Sequence, residues 1–187
     1  MADKTNLKKA LALAGLALLY VVLVFLCEFI GFLSPWCWLF YSALAAILAA
    51  WPVFKAVRMT GGKCVFLLFG ILFTLTYFME MGWNTVPSAI ASLVLVIAAE
   101  AVHGILGYGS DKALRMAYPV FALVPLGNIL SLWTNTARYA ESAAEECGQA
   151  YGEVISHMGT AWTLVLAVVA VVAVAILAVR VFCKKEG

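Results

Sequence analysis

The run TAWTLVLAVVAVVAVAILAVRVF, Thr160–Phe182, decides the fold, because no charged residue interrupts it before Arg180. An apolar helix of about 20 residues matches the hydrocarbon thickness of a bilayer. Working back along the chain, five more stretches read the same way: Leu7–Leu33, Leu39–Val57, Cys64–Met79, Val86–Leu106 and Leu114–Trp133. The composition agrees, with 65% of the 187 residues hydrophobic and 12% charged, and a mean hydropathy of +1.02. A soluble globule is excluded, and little chain is left for a separate aqueous domain. The expectation is an all-α integral membrane bundle of six transmembrane helices, a single domain over residues 1–187.

The basic residues orient that bundle. Lys4, Lys8 and Lys9 cluster at the start of the first span, and Lys55, Arg58 and Lys63 lie where the second gives way to the third. Lys112 and Arg115 lie where the fourth gives way to the fifth, and Arg180, Lys184 and Lys185 at the C-terminal end of the last. Eleven of the twelve Lys and Arg therefore fall on one side, and only Arg138 on the other. Positive charge is retained on the cytoplasmic side of short loops, so both termini are expected in the cytoplasm. The N-terminus is similar to a signal peptide, yet its apolar run continues to Leu33 without a cleavage site followed by polar sequence, so a retained first helix is expected. A net charge of +2 gives no reason to expect nucleic acid as a partner.

The outer connections hold the candidate chemistry. The longest, about Thr134–His157, carries Glu141, Glu145, Glu146 and Glu153, with Tyr139, Ala143, Cys147, Tyr151 and Ile155 at roughly helical spacing. It predicts a short amphipathic outer helix between the fifth and sixth spans, which is either a lid or a solvated connector. Trp36, Trp38, Trp83, Trp133 and Trp162 lie near the outer boundary, against Trp51 alone near the inner one. An interfacial belt populates both boundaries, so the bias favours flat walls around a binding mouth. Glu80, Trp83 and Asn84 sit together between the third and fourth spans. Pro125 kinks the fifth span, and Asn128 lies one turn further out, either lining a cavity or bonding a neighbouring helix.

Glu28, in the outer part of the first span, is a ligand-facing acid or one that snorkels to the interface. Glu100 and His103 share a face of the fourth span. The structural reading has them hold the end of that helix against the turn carrying Asp111 and Arg115; the other reading is a proton-coupling site. Five cysteines without C-x-x-C spacing give no zinc or thioredoxin motif. Cys37 and Cys147 fall on the same side, where a disulfide is one option that spacing does not decide. No nucleophile with a base, metal cluster or nucleotide-binding motif is present, so no catalytic or metal-ligating residue is assigned and an enzyme is not expected.

Ordered along the chain, Gly82-Trp83, Ala98-Ala99-Glu100, Tyr118-Pro119-Val120-Phe121-Ala122-Leu123-Val124-Pro125-Leu126-Gly127, Leu132-Trp133 and Tyr151-Gly152-Glu153, with A-x-x-x-A at Ala10 and Ala14, resemble the substrate-binding S components of energy-coupling factor (ECF) transporters, of the Trep_Strep type. Met81 departs from the pattern, standing where a polar residue such as His is expected before Gly-Trp, which puts ligand contacts there in doubt. The resemblance implies a multi-pass protein of the bacterial cytoplasmic membrane that captures a micronutrient from outside, a vitamin-like or other flat heteroaromatic molecule. It further implies docking on a transmembrane T component with two cytoplasmic ATPases, which use the ATP, so that no cofactor is expected in this chain. Ala10 and Ala14 would face the T component, and Trp36, Glu80, Trp83, Asn84, Asn128 and Trp133, with Glu28, would bind the substrate. Haem is one candidate substrate, with His157, Met79, Met81 and Met158 as possible iron ligands. The alternatives are a self-contained proton-coupled carrier using Glu100 and His103, and a small multipass enzyme.

Overall fold

The computed structural model describes residues 2–81 and 86–183, with side chains from Asn6 to Met79 and from Val86 to Cys183. The described elements are all helical. They are α1 (Ala2–Gly31), α2 (Pro35–Leu48), α3 (Ala50–Thr60), α4 (Val65–Met81), α5 (Val86–Ile105), α6 (Asp111–Phe121), α7 (Val124–Asn128), α8 (Ser131–Thr134), α9 (Thr136–Cys147), α10 (Gln149–Met158) and α11 (Ala161–Cys183). Four stretches are long and apolar enough to cross a membrane: Asn6–Gly31, Pro35–Thr60, Val86–Ile105 and Ala161–Cys183. Val65–Met79 is a shorter apolar helix.

Two departures from the sequence reading have local causes. The expected span Leu114–Trp133 is broken into α6, α7 and α8. Proline has no N–H to give, and its ring collides with the carbonyl four residues earlier. For Pro125 that residue is Phe121, where α6 ends. Pro52 does the same to Leu48, the last residue of α2, so Pro35–Thr60 is interrupted at Ala49. The expected single outer helix is two helices, α9 and α10, divided at Gly148, whose φ of 96° only glycine adopts without strain. They fold back on each other because Gly152 is bare: a Cβ there would lie 2.5 Å from the Ala144 Cβ and 2.7 Å from the Ala140 carbonyl oxygen.

The long elements close into a ring. Helix α1 packs between α4 and α2, α2 against α11, α11 against α6, α6 against α5, and α5 back against α4, while the short α7 touches α5, α2 and α4. The seam of α11 is cut from small residues one turn apart, with Ala167, Val171 and Ala175 fully buried. On the lipid side Leu11, Leu18, Val22, Leu26 and Phe29 of α1 and Val165, Val169 and Ile176 of α11 are exposed, as expected of a bundle whose solvent is hydrocarbon. The interior is aromatic: Tyr20 meets Phe69 and Phe121 with ring centroids 5.6 and 5.4 Å apart, and Phe66 meets Phe121 at 4.9 Å.

Helix breaks inside an apolar bundle free carbonyls that no water reaches. Two buried tyrosines cover them reciprocally. Tyr41 of α2 donates to the Pro125 carbonyl at 2.8 Å, and Tyr118 of α6 donates to the Ala46 carbonyl beside the α2–α3 break at 2.7 Å. Ser92 of α5 lies 3.1 Å from the Val124 carbonyl and 2.6 Å from the side-chain amide of Asn128. One hydroxyl proton serves one acceptor, so an Asn128 amide turned to donate to Ser92 frees that proton for Val124.

Tyr41→Phe leaves the Pro125 carbonyl buried and bare, so it is expected to lower stability by about 1–3 kcal/mol. The measurement is the melting temperature of the detergent-solubilised protein, and Tyr118→Phe is expected to behave alike. Variants melting with the parent would show that these bonds do not hold the breaks.

Candidate functional site

The described residues form a cavity of about 310 Å³ at the end of the bundle that carries the α9–α10 hairpin. Its aromatic wall is built from Phe32 of the α1–α2 turn, Trp38 of α2, Tyr77 of α4, Tyr139 of α9 and Tyr151 of α10. Helix α9 contributes a polar edge with Arg138, Ser142 and Glu146, and Pro87 closes the side where α5 begins.

Close backbone packing sets this wall. Ser34 caps α2 by accepting from the Trp36 N–H at 3.3 Å, and Gly31 lets Trp38 lie against the chain, since a Cβ there would come 2.5 Å from the indole ring. The Trp38 Nε1–H donates to the Tyr139 hydroxyl at 2.7 Å, tying α2 to α9. The Tyr151 hydroxyl donates to the Gly31 carbonyl at 3.0 Å, tying α10 to the end of α1. The hairpin is thus fastened to the bundle by two phenols that also line the cavity.

Burial holds the Tyr139 hydroxyl well above the ordinary tyrosine range, with Tyr77 and then Glu28 adding to it against the opposing bond from Trp38. Burial likewise raises Tyr151, helped by Cys147 and Cys37, and raises the Cys147 thiol, helped by Glu146. Cys37 and Cys147 are free thiols, and Cys147 lines the cavity.

The residues singled out in the sequence scatter. Glu28 is buried at 5% exposure and acts electrostatically on Tyr139, which places it beneath the aromatic wall and not at the lipid interface. Trp36 is 52% exposed and is not part of the lining. Asn128 is fully buried against Ser92 in the broken helix run, and Trp133 donates through Nε1 to Thr163 at 3.0 Å, toward the start of α11. Trp83, Asn84 and the side chains of Glu80 and Met81 lie outside the described residues. Met79, Met158 and His157 do not line the cavity, and the described residues contain no group of three or more His, Cys, Asp or Glu placed to hold a metal.

At the opposite end, Glu100 and His103 serve the turns. The Glu100 carboxylate accepts from the backbone N–H of Cys64 at 2.8 Å and of Leu67 at 3.4 Å, so it caps the first turn of α4, where a negative charge meets the helix dipole. Glu100 thus holds α5 to the start of α4, while His103 holds it to the turn just before Asp111. His103 is fully buried, accepts at Nε2 from the Gly109 N–H at 3.4 Å, and lies edge-on to Phe66 and Tyr108. Gly62 must be bare, because a Cβ would fall 2.5 Å from the imidazole.

Of the lining residues that the sequence reading did not group as a site, Arg138, Tyr139, Ser142, Glu146 and Tyr151 come from the α9–α10 hairpin, and Tyr77 comes from α4, far away in the chain. The available signal was the 138–142–146 spacing within the predicted outer helix, which puts three polar side chains on one face.

A family model described as "hypothetical bacterial integral membrane protein (Trep_Strep)" matches residues 7–184. No curated protein and no solved structure matches the chain significantly.

Because the neutral phenol is favoured in the folded state, unfolding above pH ~10 releases a proton that the native protein holds, and stability falls as pH rises through that range. Tyr139→Phe, which also loses the Trp38 bond, is expected to be less stable than the parent at pH 8. That gap should narrow above pH ~10, since the variant lacks one alkali-sensitive group. Melting curves across that range check it, and a gap independent of pH would contradict a shifted Tyr139.

Proposed function

The chain belongs to the Trep_Strep family of bacterial integral membrane proteins, and from that premise we propose that it is the substrate-binding subunit of an ATP-driven importer of the ECF type. The observation that supports this most is the aromatic cavity under the α9–α10 hairpin, at the end of the bundle away from the basic clusters. The basic end is a coherent face: Arg58, at the end of α3, donates to the Phe182 carbonyl at the end of α11 at 2.8 Å. Retention of positive charge on the cytoplasmic side turns that face inward, so the cavity opens outward and both termini lie in the cytoplasm.

A cup of this kind needs an energy source elsewhere, and the sequence holds no nucleotide-binding motif. A T component with two cytoplasmic ATPases fills that role, docking against α1. There Ala10 and Ala14 are exposed, and a Cβ added to the neighbouring Gly15 would meet nothing within 4 Å, so a partner helix is free to approach closely. The carrier reading rests on Glu100 and His103, and here the Glu100 carboxylate and the His103 Nε2 are engaged by backbone N–H groups of two turns.

The cavity sits at the lower end of the ~300–1,000 Å³ typical of small-molecule sites. Its five rings suit a flat molecule of one or two rings better than a porphyrin, and of the residues suggested as iron ligands His157, Met79 and Met158 do not line it.

Purified from a rich-medium host, the protein is expected to carry a stoichiometric small molecule visible by native mass spectrometry, with near-ultraviolet absorption and no Soret band. From its native membrane it is expected to capture a T component and ATPases, and Ala10→Leu with Ala14→Leu should abolish that capture while leaving the bound molecule in place. A protein that captures no such partners and transports when reconstituted alone would overturn the proposal in favour of a carrier.

A further inference from the structure

Helix α9 carries four charged side chains, Arg138, Glu141, Glu145 and Glu146, and only two of them line the cavity, one of each sign. Arg138, Ser142 and Glu146 follow one another at intervals of four residues, so they form a straight polar strip along the cavity edge. At 1.5 Å per residue the cationic and anionic ends of the strip are separated by about 12 Å along the helix axis. Side chains leaning inward shorten the distance between the charged groups, and the Ser142 hydroxyl lies between them. Trp38 and Tyr77 belong to the aromatic wall contributed by other helices. Among the described residues no carboxylate stands within ion-pair distance of Arg138, and Glu146, two turns away on the same face, is too far along the helix to neutralise it.

We propose that the molecule bound here is amphoteric: a flat ring system with an anionic group that pairs with Arg138 and a protonated amine or amidine at the other end that pairs with Glu146. This rests on the reading of the cavity as a substrate site. A purely anionic ligand would leave the Glu146 carboxylate facing the ring, and a purely cationic one would leave the guanidinium facing it, each charge losing water without gaining a partner. A ligand with both signs satisfies the strip from end to end, and charge-assisted bonds in a site partly closed to water are the stronger ones.

The test uses three ring probes of matched size on the full-length protein in detergent: 4-(aminomethyl)benzoate, 4-methylbenzoate and 4-methylbenzylamine. Binding is read from the fluorescence of the tryptophans, Trp38 being in the wall. The zwitterion is expected to bind at least tenfold more tightly than either singly charged probe. Arg138→Gln should remove that advantage and weaken 4-methylbenzoate while sparing 4-methylbenzylamine, and Glu146→Gln should do the converse. The double variant Arg138→Glu with Glu146→Arg should recover zwitterion binding, since the molecule then lies in the reverse direction; a merely structural role for either residue predicts no such rescue. Equal affinities for the three probes, no response to the single variants, or no binding of 4-(aminomethyl)benzoate at millimolar concentration would each overturn the proposal. Capture of the T component and ATPases by the unaltered protein reports separately on the importer. Capture without zwitterion preference sinks only the ligand class, and zwitterion preference without capture sinks only the importer.

Discussion

The constraint on which the rest of the structure depends is the one that a bilayer places on the backbone: a carbonyl released inside an apolar bundle must find a donor there. The α2–α3 and α6–α7 runs are each broken four residues before a proline, and beside those breaks Tyr118 donates to the Ala46 carbonyl while Tyr41 donates to the Pro125 carbonyl. Each tyrosine sits on the element whose neighbour it repairs, so neither break is stable without the other helix in place. Two interruptions that would each weaken an isolated helix are thereby tied together, α2 to α6 through Tyr118 and to α7 through Tyr41.

This arrangement also explains the position of the cavity. An unbroken helix over Leu114–Trp133 would deliver the chain straight to the membrane boundary. Broken at Phe121 and again after Asn128, the chain instead approaches α9 through the short α7 and α8. Trp38 and Tyr151 then fasten the hairpin to α2 and to the end of α1. The interior aromatic cluster and the hairpin fastenings use different residues, Tyr20, Phe69 and Phe121 for the one and Trp38, Tyr139 and Tyr151 for the other.

The sequence made the helical membrane bundle legible because apolar run length and the one-sided placement of Lys and Arg are properties of composition, read without knowing any contact. It was less able to say what a proline does. Pro125 predicts a kink, but whether a helix bends or stops depends on what the interrupted segment meets, and the donor that holds it here, the Tyr41 hydroxyl on the Pro125 carbonyl, lies 84 positions away. The division at Gly148 was hidden for a similar reason, since the two-helix form depends on Gly152 meeting Ala140 and Ala144 across the hairpin. Of the described outer tryptophans Trp38 alone enters the cavity, because facing is set by local caps and close packing at Ser34 and Gly31 and not by depth in the bilayer.

Charged residues show the same division of labour by place. Where burial is severe, as at Glu100, the carboxylate is engaged by the N–H groups that start α4, and its charge supports a turn. A charge committed in this way cannot also bind a ligand without undoing the fold around it. On α9 the opposite holds: Arg138 and Glu146 are exposed, water pays most of their solvation while the site is empty, and no helix end depends on them. Selectivity built from such groups is inexpensive in stability, because a ligand exchanges their water for ionic partners without displacing any structural bond. In the proposed reading the spans therefore supply shape and aromatic surface, and the surface hairpin above them is where the identity of the bound molecule would be read.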